Sequence, residues 1–409
     1  MQSRNRLASY LLGATTARVG DEMSGPALLL LGLAVTGSTS TASALLAGLT
    51  FSAAVGGPLF GVILDRSPRP GRILAGALTA YALALMTIWL LLGTAPVAAV
   101  VAIALAAGLL GPALSGGWTA RLPQVVGATP LGRATVLDAM TFDVGTLVGP
   151  VLAGLVAALV GAPAAVVTAA GLIALAVPVA WSLPDRPVGL DPPTTTIGTD
   201  LVAGARTIVR SVPLLRATVA STVSSTGLGL LVVAVPMLGE DVFGDRDLGP
   251  VLLGVTAAAA LVANAALARR PASVAADTVL WLSCLLLAVG LSLAATRSPV
   301  VLVVAVVLVG IAEGPQLTAL FTVRHREAPE RLRSQIFTTG ASLKVTGYAV
   351  GAAIAGPIVT WSVPGALLVG AGLQLLAAAC FAALTLVSRT RRVRPPSDPA
   401  ASTLPAAGP

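Results

Sequence analysis

Seven charged side chains stand inside stretches that are otherwise apolar: Arg18, Asp21, Glu22, Asp138, Asp143, Glu313 and Lys344. A charge at the centre of a bilayer costs about 3 kcal/mol on insertion scales, so such groups face protein or a water-filled cavity and mark ion or substrate pathways. Arg18 precedes Asp21 and Glu22 by one helical turn, so on a helix it is expected beside both carboxylates. With Asp138 set aside as lying nearer a span end, the acids Asp21, Glu22, Asp143 and Glu313 outnumber the bases Arg18 and Lys344. Such a surplus cannot all stay ionised in low dielectric. A carboxyl that takes and releases a proton as access alternates is a means of proton coupling. The competing reading is a static ion-pair network of Arg18 with Asp21 or Glu22 that fixes helix packing. No His, Cys or Ser constellation has catalytic spacing. One histidine and two cysteines cannot build a usual zinc or haem site. Neither an enzyme nor a metal or other cofactor is expected.

The elements that must hold these groups are membrane helices. The 409 residues are 56% hydrophobic and 10% charged, whereas a soluble domain carries about 25% charged residues. At about 20 residues per crossing, the apolar runs give twelve spans in an all-α membrane protein. The first six run over 7–35, 41–64, 72–93, 96–120, 133–160 and 163–183. The second six run over 214–238, 248–268, 277–296, 299–322, 335–361 and 364–388. The expected units are therefore a six-helix bundle over 1–183, a linker over 184–213, a second six-helix bundle over 214–388 and a basic, disordered tail over 389–409. The first apolar segment is too long for a cleavable signal. Cys284 and Cys380 fall in separate spans, so no disulfide framework is implied.

The net charge of +8 suggests nucleic acid only until the charges are placed. They fall in short loops, twenty-one arginines on one side against Arg246 and Arg297 on the other, which puts both termini in the cytoplasm. In the linker, PDRPVGLDPPTTT is Pro-rich and reads as irregular. Beyond it Leu201, Val202, Ala205, Ile208 and Val209 share one helical face, with Arg206 and Arg210 on the other. That pattern describes an amphipathic helix on the cytoplasmic leaflet; a linker helix that packs on the protein is the alternative.

In TFDVGTLVGPVLAG, Gly145, Gly149 and Gly154 fall near one helix face and open a groove for another backbone, as small residues do where membrane helices pack closely. Pro150 removes a backbone donor just beyond. The same spacing recurs at Gly347, Gly351 and Gly356, and Gly111-Pro112 is echoed by Gly314-Pro315. An internal repeat of six-span units is a transporter signature with the site between the halves.

Twelve spans in a six-plus-six repeat resemble the major facilitator superfamily, over nearly the whole chain. That resemblance implies two bundles related by a pseudo-two-fold axis. GVILDRSPRPGR, with Gly61, Asp65, Arg66, Arg69, Gly71 and Arg72, resembles the family's loop G-x-x-x-D-R-x-G-R-[KR], here stretched by Ser67-Pro68-Arg69-Pro70. In that family the loop aspartate bonds to the cytoplasmic end of the eleventh helix and latches the outward-facing state. Gly145, Gly149, Pro150 and Gly154 are similar to the antiporter signature g-x-x-x-G-P-x-x-G-G, with Ala153 for one glycine. The resemblance implies that this motif marks drug:proton exporters and packs the fifth helix against the other half. The arginine that many such antiporters carry midway along the fourth helix is missing from VVAIALAAGLLGPALSGG, and Arg18 is the candidate for its role.

Phe51, Phe142 and Tyr348 are candidate cavity aromatics, Asn264 is a candidate interhelical hydrogen bond, and His325, among Arg324, Arg326 and Glu327, reads as a solvated loop residue. Together these readings point to a proton-coupled exporter of small amphiphilic molecules such as an antibiotic or dye. It is expected in the inner (plasma) membrane of a bacterium, working by alternating access with substrate, protons and lipid as its partners and no nucleic acid. The family resemblance implies a monomer. The alternatives are an uptake symporter on the same fold and a membrane scaffold that transports nothing.

Overall fold

The computed structural model describes residues 2–127, 129–185, 196–246, 248–269 and 274–393, and among them there are helices and no strand. In chain order these are α1 (Gln2–Thr36), α2 (Thr39–Phe51), α3 (Ala53–Arg66), α4 (Pro70–Leu91), α5 (Val97–Gly108), α6 (Leu131–Val160), α7 (Ala162–Trp181), α8 (Ile197–Arg210), α9 (Val212–Phe243), α10 (Leu248–Arg269), α11 (Ala276–Ala294), α12 (Pro299–Glu327), α13 (Arg333–Trp361) and α14 (Val363–Val393). Twelve helical stretches are long and apolar enough to cross a membrane, because only a structure that satisfies its own backbone can stand in hydrocarbon.

Two spans are less regular than their sequence suggests. The second is broken at Ser52 into α2 and α3, and the Ser52 hydroxyl donates to the Gly48 carbonyl at 2.9 Å. The fourth passes from α5 through Gly111-Pro112 into a π-helical turn, Ala113–Gly117. Proline has no N–H to continue the ladder, so the chain re-registers there. The two irregularities lie against each other: a Cβ on Gly48 would stand 3.2 Å from that of Ala104, and Gly56 and Gly108 have no room for one.

Helices α1 to α7 pack among themselves, with α1 between α6 and α7; α9 to α14 do likewise, with α9 between α13 and α14. The first group is organised around a core that includes Tyr10, Leu74, Trp118 and Ile173, the second around cores that include Leu231, Leu287 and Val309. The groups meet where α3 and the π-helical turn lie on α13, and where α6 lies on α10 and α12. Of the amphipathic stripe on α8, Ile208 is buried with Leu214, Ala328, Leu332 and Ile336, while Val202 and Val209 stay exposed. The stripe is thus divided, one edge docked on protein. The irregular part of the linker and the tail beyond residue 393 lie outside the described residues.

Candidate functional site

Between the two groups of helices, the arginine-rich end is sealed. The Asp65 carboxylate at the end of α3 accepts from the backbone N–H groups of Ser334 (3.0 Å) and Gln335 (2.8 Å) at the start of α13. Orphan N–H groups and the helix dipole make that the favoured place for a carboxylate. One turn along, Gly61 and then Gly57 let the α3 backbone approach α13 directly. The Gly57 N–H donates to the Ser342 hydroxyl at 3.1 Å, and Ser342 donates to the Ala53 carbonyl. Arg121 donates to the Ser334 hydroxyl at 3.3 Å. Helix α8 closes over this contact: Arg66 pairs with Asp200 at 3.4 Å, and the Gln335 amide donates to the Leu201 carbonyl at 3.1 Å. The remaining loop residues serve their own half, with Gly71 packed on the end of α7 and Arg72 over the Trp181 ring; Arg69 caps nothing with its side chain at the start of α4.

Behind the latch lies an aromatic plug. Phe142 of α6 meets Phe321 of α12, Phe321 meets Phe337 of α13, and Phe337 meets His325, with ring centroids 5.4, 5.8 and 4.6 Å apart. His325 is therefore not a solvated loop residue: α12 continues to Glu327, and burial against Phe337 holds the imidazole inside the protein. Phe142 likewise belongs to this plug.

Above the plug, Arg18 does not pair with Asp21 or Glu22. It turns away from its own helix to α6, where it pairs with Asp138 at 3.0 Å and donates to the Asp138 carbonyl at 2.9 Å and the Thr141 hydroxyl. It also donates to the Thr119 hydroxyl at 2.8 Å, and its guanidinium lies 3.6 Å from the Phe142 ring centre. Asp138 in turn accepts from Tyr10 and Thr119, each at 2.9 Å. Arg18 and Asp138 are 2% and 0% exposed. This is a dry, matched ion pair. The one-turn spacing within α1 lost to a carboxylate that sequence distance hid, and Asp21 takes a different partner, the Tyr81 hydroxyl of α4 at 3.1 Å.

The other charges of the central set are different. Asp143 accepts from the Asn264 amide of α10 at 2.7 Å, and Asn264 accepts from Thr318 at 2.9 Å, so the expected interhelical bond of Asn264 joins the two groups of helices. Glu22 is exposed, Glu313 and Lys344 half-buried, and none of the three has an ion pair among the described residues. Glu22 nonetheless lies within electrostatic reach of Glu313 and Lys344, and Asp143 does too. Glu22 from one half and Glu313 and Lys344 from the other are thus within electrostatic reach of one another. Tyr348, half-buried one turn beyond Lys344 on α13, is within reach of Glu22 and Glu313. Phe51 is 74% exposed at the break between α2 and α3 and has no ring partner among the described residues.

The glycine groove on α6 faces α1 of its own half, not the other half: a Cβ on Gly149 would lie 2.7 Å from that of Glu22, and one on Gly145 would lie 3.3 Å from the Arg18 backbone. Gly347 and Gly351 face α9 in the same way, against Thr222 and Thr226. Gly154 and its echo Gly356 have open space around them. Pro150 stays inside an unbroken α6.

A family model described as Major Facilitator Superfamily matches residues 10–276. The chain is 30% identical over 394 residues to a protein of Sinorhizobium fredii (strain NBRC 101917 / NGR234) described as "Uncharacterized MFS-type transporter y4rN", a match that covers 91% of this chain and 93% of the relative. A bacterial homologue of the iron transporter ferroportin, solved in an outward-facing state, is similar with a TM-score of 0.74 at 15% identity, over 93% of this chain and 99% of that one. The proton:xylose symporter XylE is similar with a TM-score of 0.71 at 14% identity, over 92% and 95% of the two chains. At those identities the likeness is one of fold.

Proposed function

The chain belongs to the Major Facilitator Superfamily of secondary transporters, and from that premise we propose that it is a proton-coupled exporter of small amphiphilic or drug-like molecules. Family and fold are those of multi-pass membrane transporters, which move small molecules and often ions with them. The finer reading rests chiefly on one observation: Glu22, Glu313 and Lys344 stand at mid-span depth on helices of the two halves, in mutual electrostatic reach and without ion-pair partners among the described residues.

With the arginine-rich end in the cytoplasm of a bacterial inner membrane, the latch of Asp65 on α13 and the aromatic plug close the inner side. Glu22 and Glu313 are then reached from outside. The two six-helix units rock about the centre; when the latch parts, the same carboxylates meet the inner side. A proton taken up outside by Glu22, Glu313 or Asp143 is given up inside, and substrate binds the vacated carboxylate for the outward return. Asp143 is the carboxylate whose surroundings couple this to the halves, through Asn264. The motif of Gly145, Gly149 and Pro150 supports export, and it acts by seating α1, the carrier of Glu22, against α6. A cavity with few polar groups suits amphiphiles better than sugars, whose hydroxyls would be left unsatisfied. One polypeptide contains both halves, and a monomer is sufficient.

The test is transport by the purified protein in proteoliposomes. An imposed pH gradient should drive an amphiphilic dye in the direction opposite to proton flow, and collapse of the gradient should stop it. Accumulation of dye with the protons instead would make the protein a symporter. No gradient-dependent movement of any dye, antibiotic or solute would leave only the scaffold.

A further inference from the structure

We propose that the central site, on the reading above, takes a zwitterion: an amphiphile with an ammonium group held between Glu22 and Glu313 and an acid group held by Lys344 and Tyr348. The sequence supplies the first observation. Lys344 is the only lysine in the chain; the other 24 of the 25 lysine and arginine positions are arginine. Arginine is the side chain that locks into planar, lasting pairs, as Arg18 does with Asp138. Lysine is a compact, strongly hydrated point charge on a flexible stem, suited to a partner that comes and goes.

Geometry supplies the second. Lys344 lies within electrostatic reach of Glu22, Asp143 and Glu313, yet forms an ion pair with none of them. A lysine kept only to balance those acids would close onto one. Tyr348 follows on the same face of α13, and among the described residues its hydroxyl, like the Lys344 ammonium, has no hydrogen-bond partner. The site therefore offers two carboxylate acceptors, from α1 and α12, and two donors in a row on α13. A substrate that is only a cation would leave Lys344 unmatched and add a like charge beside it. One that is only an anion would meet the surplus of carboxylates. A molecule carrying both charges matches each side.

The experiment is thermal unfolding of the full-length protein in detergent with three amphiphilic zwitterions, L-phenylalanine, 6-aminohexanoic acid and 8-aminooctanoic acid, each beside its methyl ester and its N-acetyl derivative. At least one zwitterion should stabilise the protein with an apparent affinity tenfold or more above both derivatives. Lys344→Gln should erase the preference over the ester, and Glu313→Gln the preference over the N-acetyl form. Esters that bind as well as the parent acids in the unaltered protein, or no stabilisation by any of the three, overturn the proposal. This comparison needs no variant, so a misfolded substitution cannot obscure it. Zwitterion binding without gradient-driven flux would sink the exporter reading alone; gradient-driven dye export without zwitterion binding would sink this inference alone.

Discussion

Arg18 and Glu22 stand one turn apart on α1, at similar depth in the membrane, and their surroundings are opposite. Arg18 is enclosed by a carboxylate, a carbonyl, two hydroxyls and an aromatic ring, and every one of those groups comes from its own half. Glu22 has no ion pair among the described residues, and the charges in its reach, Glu313 and Lys344, come from the other half. On the proposed mechanism, in which the halves rock, the Arg18 enclosure would travel as a rigid piece, whereas the surroundings of Glu22 would change. Depth in the membrane therefore does not separate an enclosed charge such as Arg18 from one, such as Glu22, proposed to carry protons. What separates them is whether one rigid unit supplies all the partners.

The hardest test of this contrast is Asp138→Ala. It strands the Arg18 guanidinium in a dry site, and removing one partner of a buried pair costs about 3–5 kcal/mol. Thermal or denaturant unfolding in detergent should show a loss of that size, and a loss below about 1 kcal/mol would mean water reaches the pair and the two regions are not distinct. Replacing both partners together, Arg18→Met with Asp138→Leu, should recover most of the loss, because no charge is then left unmatched.

The mirror image is Glu22→Gln or Glu313→Gln. Neither side chain holds the fold, so unfolding should shift by less than about 0.5 kcal/mol. Gradient-driven transport should fall by about 100-fold or more, the scale of losing one positioned proton-transfer group. Asp143→Asn should do the same while keeping a hydrogen bond to Asn264. Unimpaired pH-driven transport in all three would remove these carboxyls from the mechanism and leave the contrast purely structural.

How far the sequence revealed this arrangement follows from the range of the forces involved. Twelve spans are legible because bilayer thickness fixes apolar length, and each crossing announces itself locally. Their ends are less legible. Helix α12 runs on through Arg324 and His325, and Phe337 of the next helix lies against both, a tertiary contact that hydropathy along α12 does not show. The latch is legible as a motif, since a carboxylate suits a helix N-terminus; which N–H groups it meets, those of Ser334 and Gln335, is a matter of tertiary docking. Arg18 is misread because one-turn neighbours are visible along the chain and Asp138 is not. The glycine spacing on α6 gives a face without naming the helix opposite it.

On the proposed mechanism the rigid units part at the latch, and Asp65→Asn probes it. The amide keeps the shape and one acceptor but loses the charge that two N–H groups and a helix dipole favour, a difference of about 1–2 kcal/mol. The closed inner side should lose population by roughly tenfold, the factor that about 1.4 kcal/mol represents. Cysteine labelling at Thr338, placed under Gly61 at the α3–α13 contact, should become correspondingly faster. An unchanged labelling rate would mean that the aromatic plug and the glycine contacts hold that end shut without the carboxylate.

The smallest effect separates packing from lineage within one motif. Gly149 and Gly154 belong to the same signature, yet Gly149 has the Cβ of Glu22 2.7 Å from where its own would be, and Gly154 has open space. Gly149→Ala must push α1 from α6, carrying Glu22 with it, and should impair transport. Gly154→Ala adds a methyl group to empty space and removes glycine from a helix interior, which should raise stability by up to about 1 kcal/mol and leave transport unchanged. If Gly154→Ala instead abolishes transport, the second glycine acts in a state where another element closes onto it, and the rigid unit that holds Arg18 is smaller than the whole of α6.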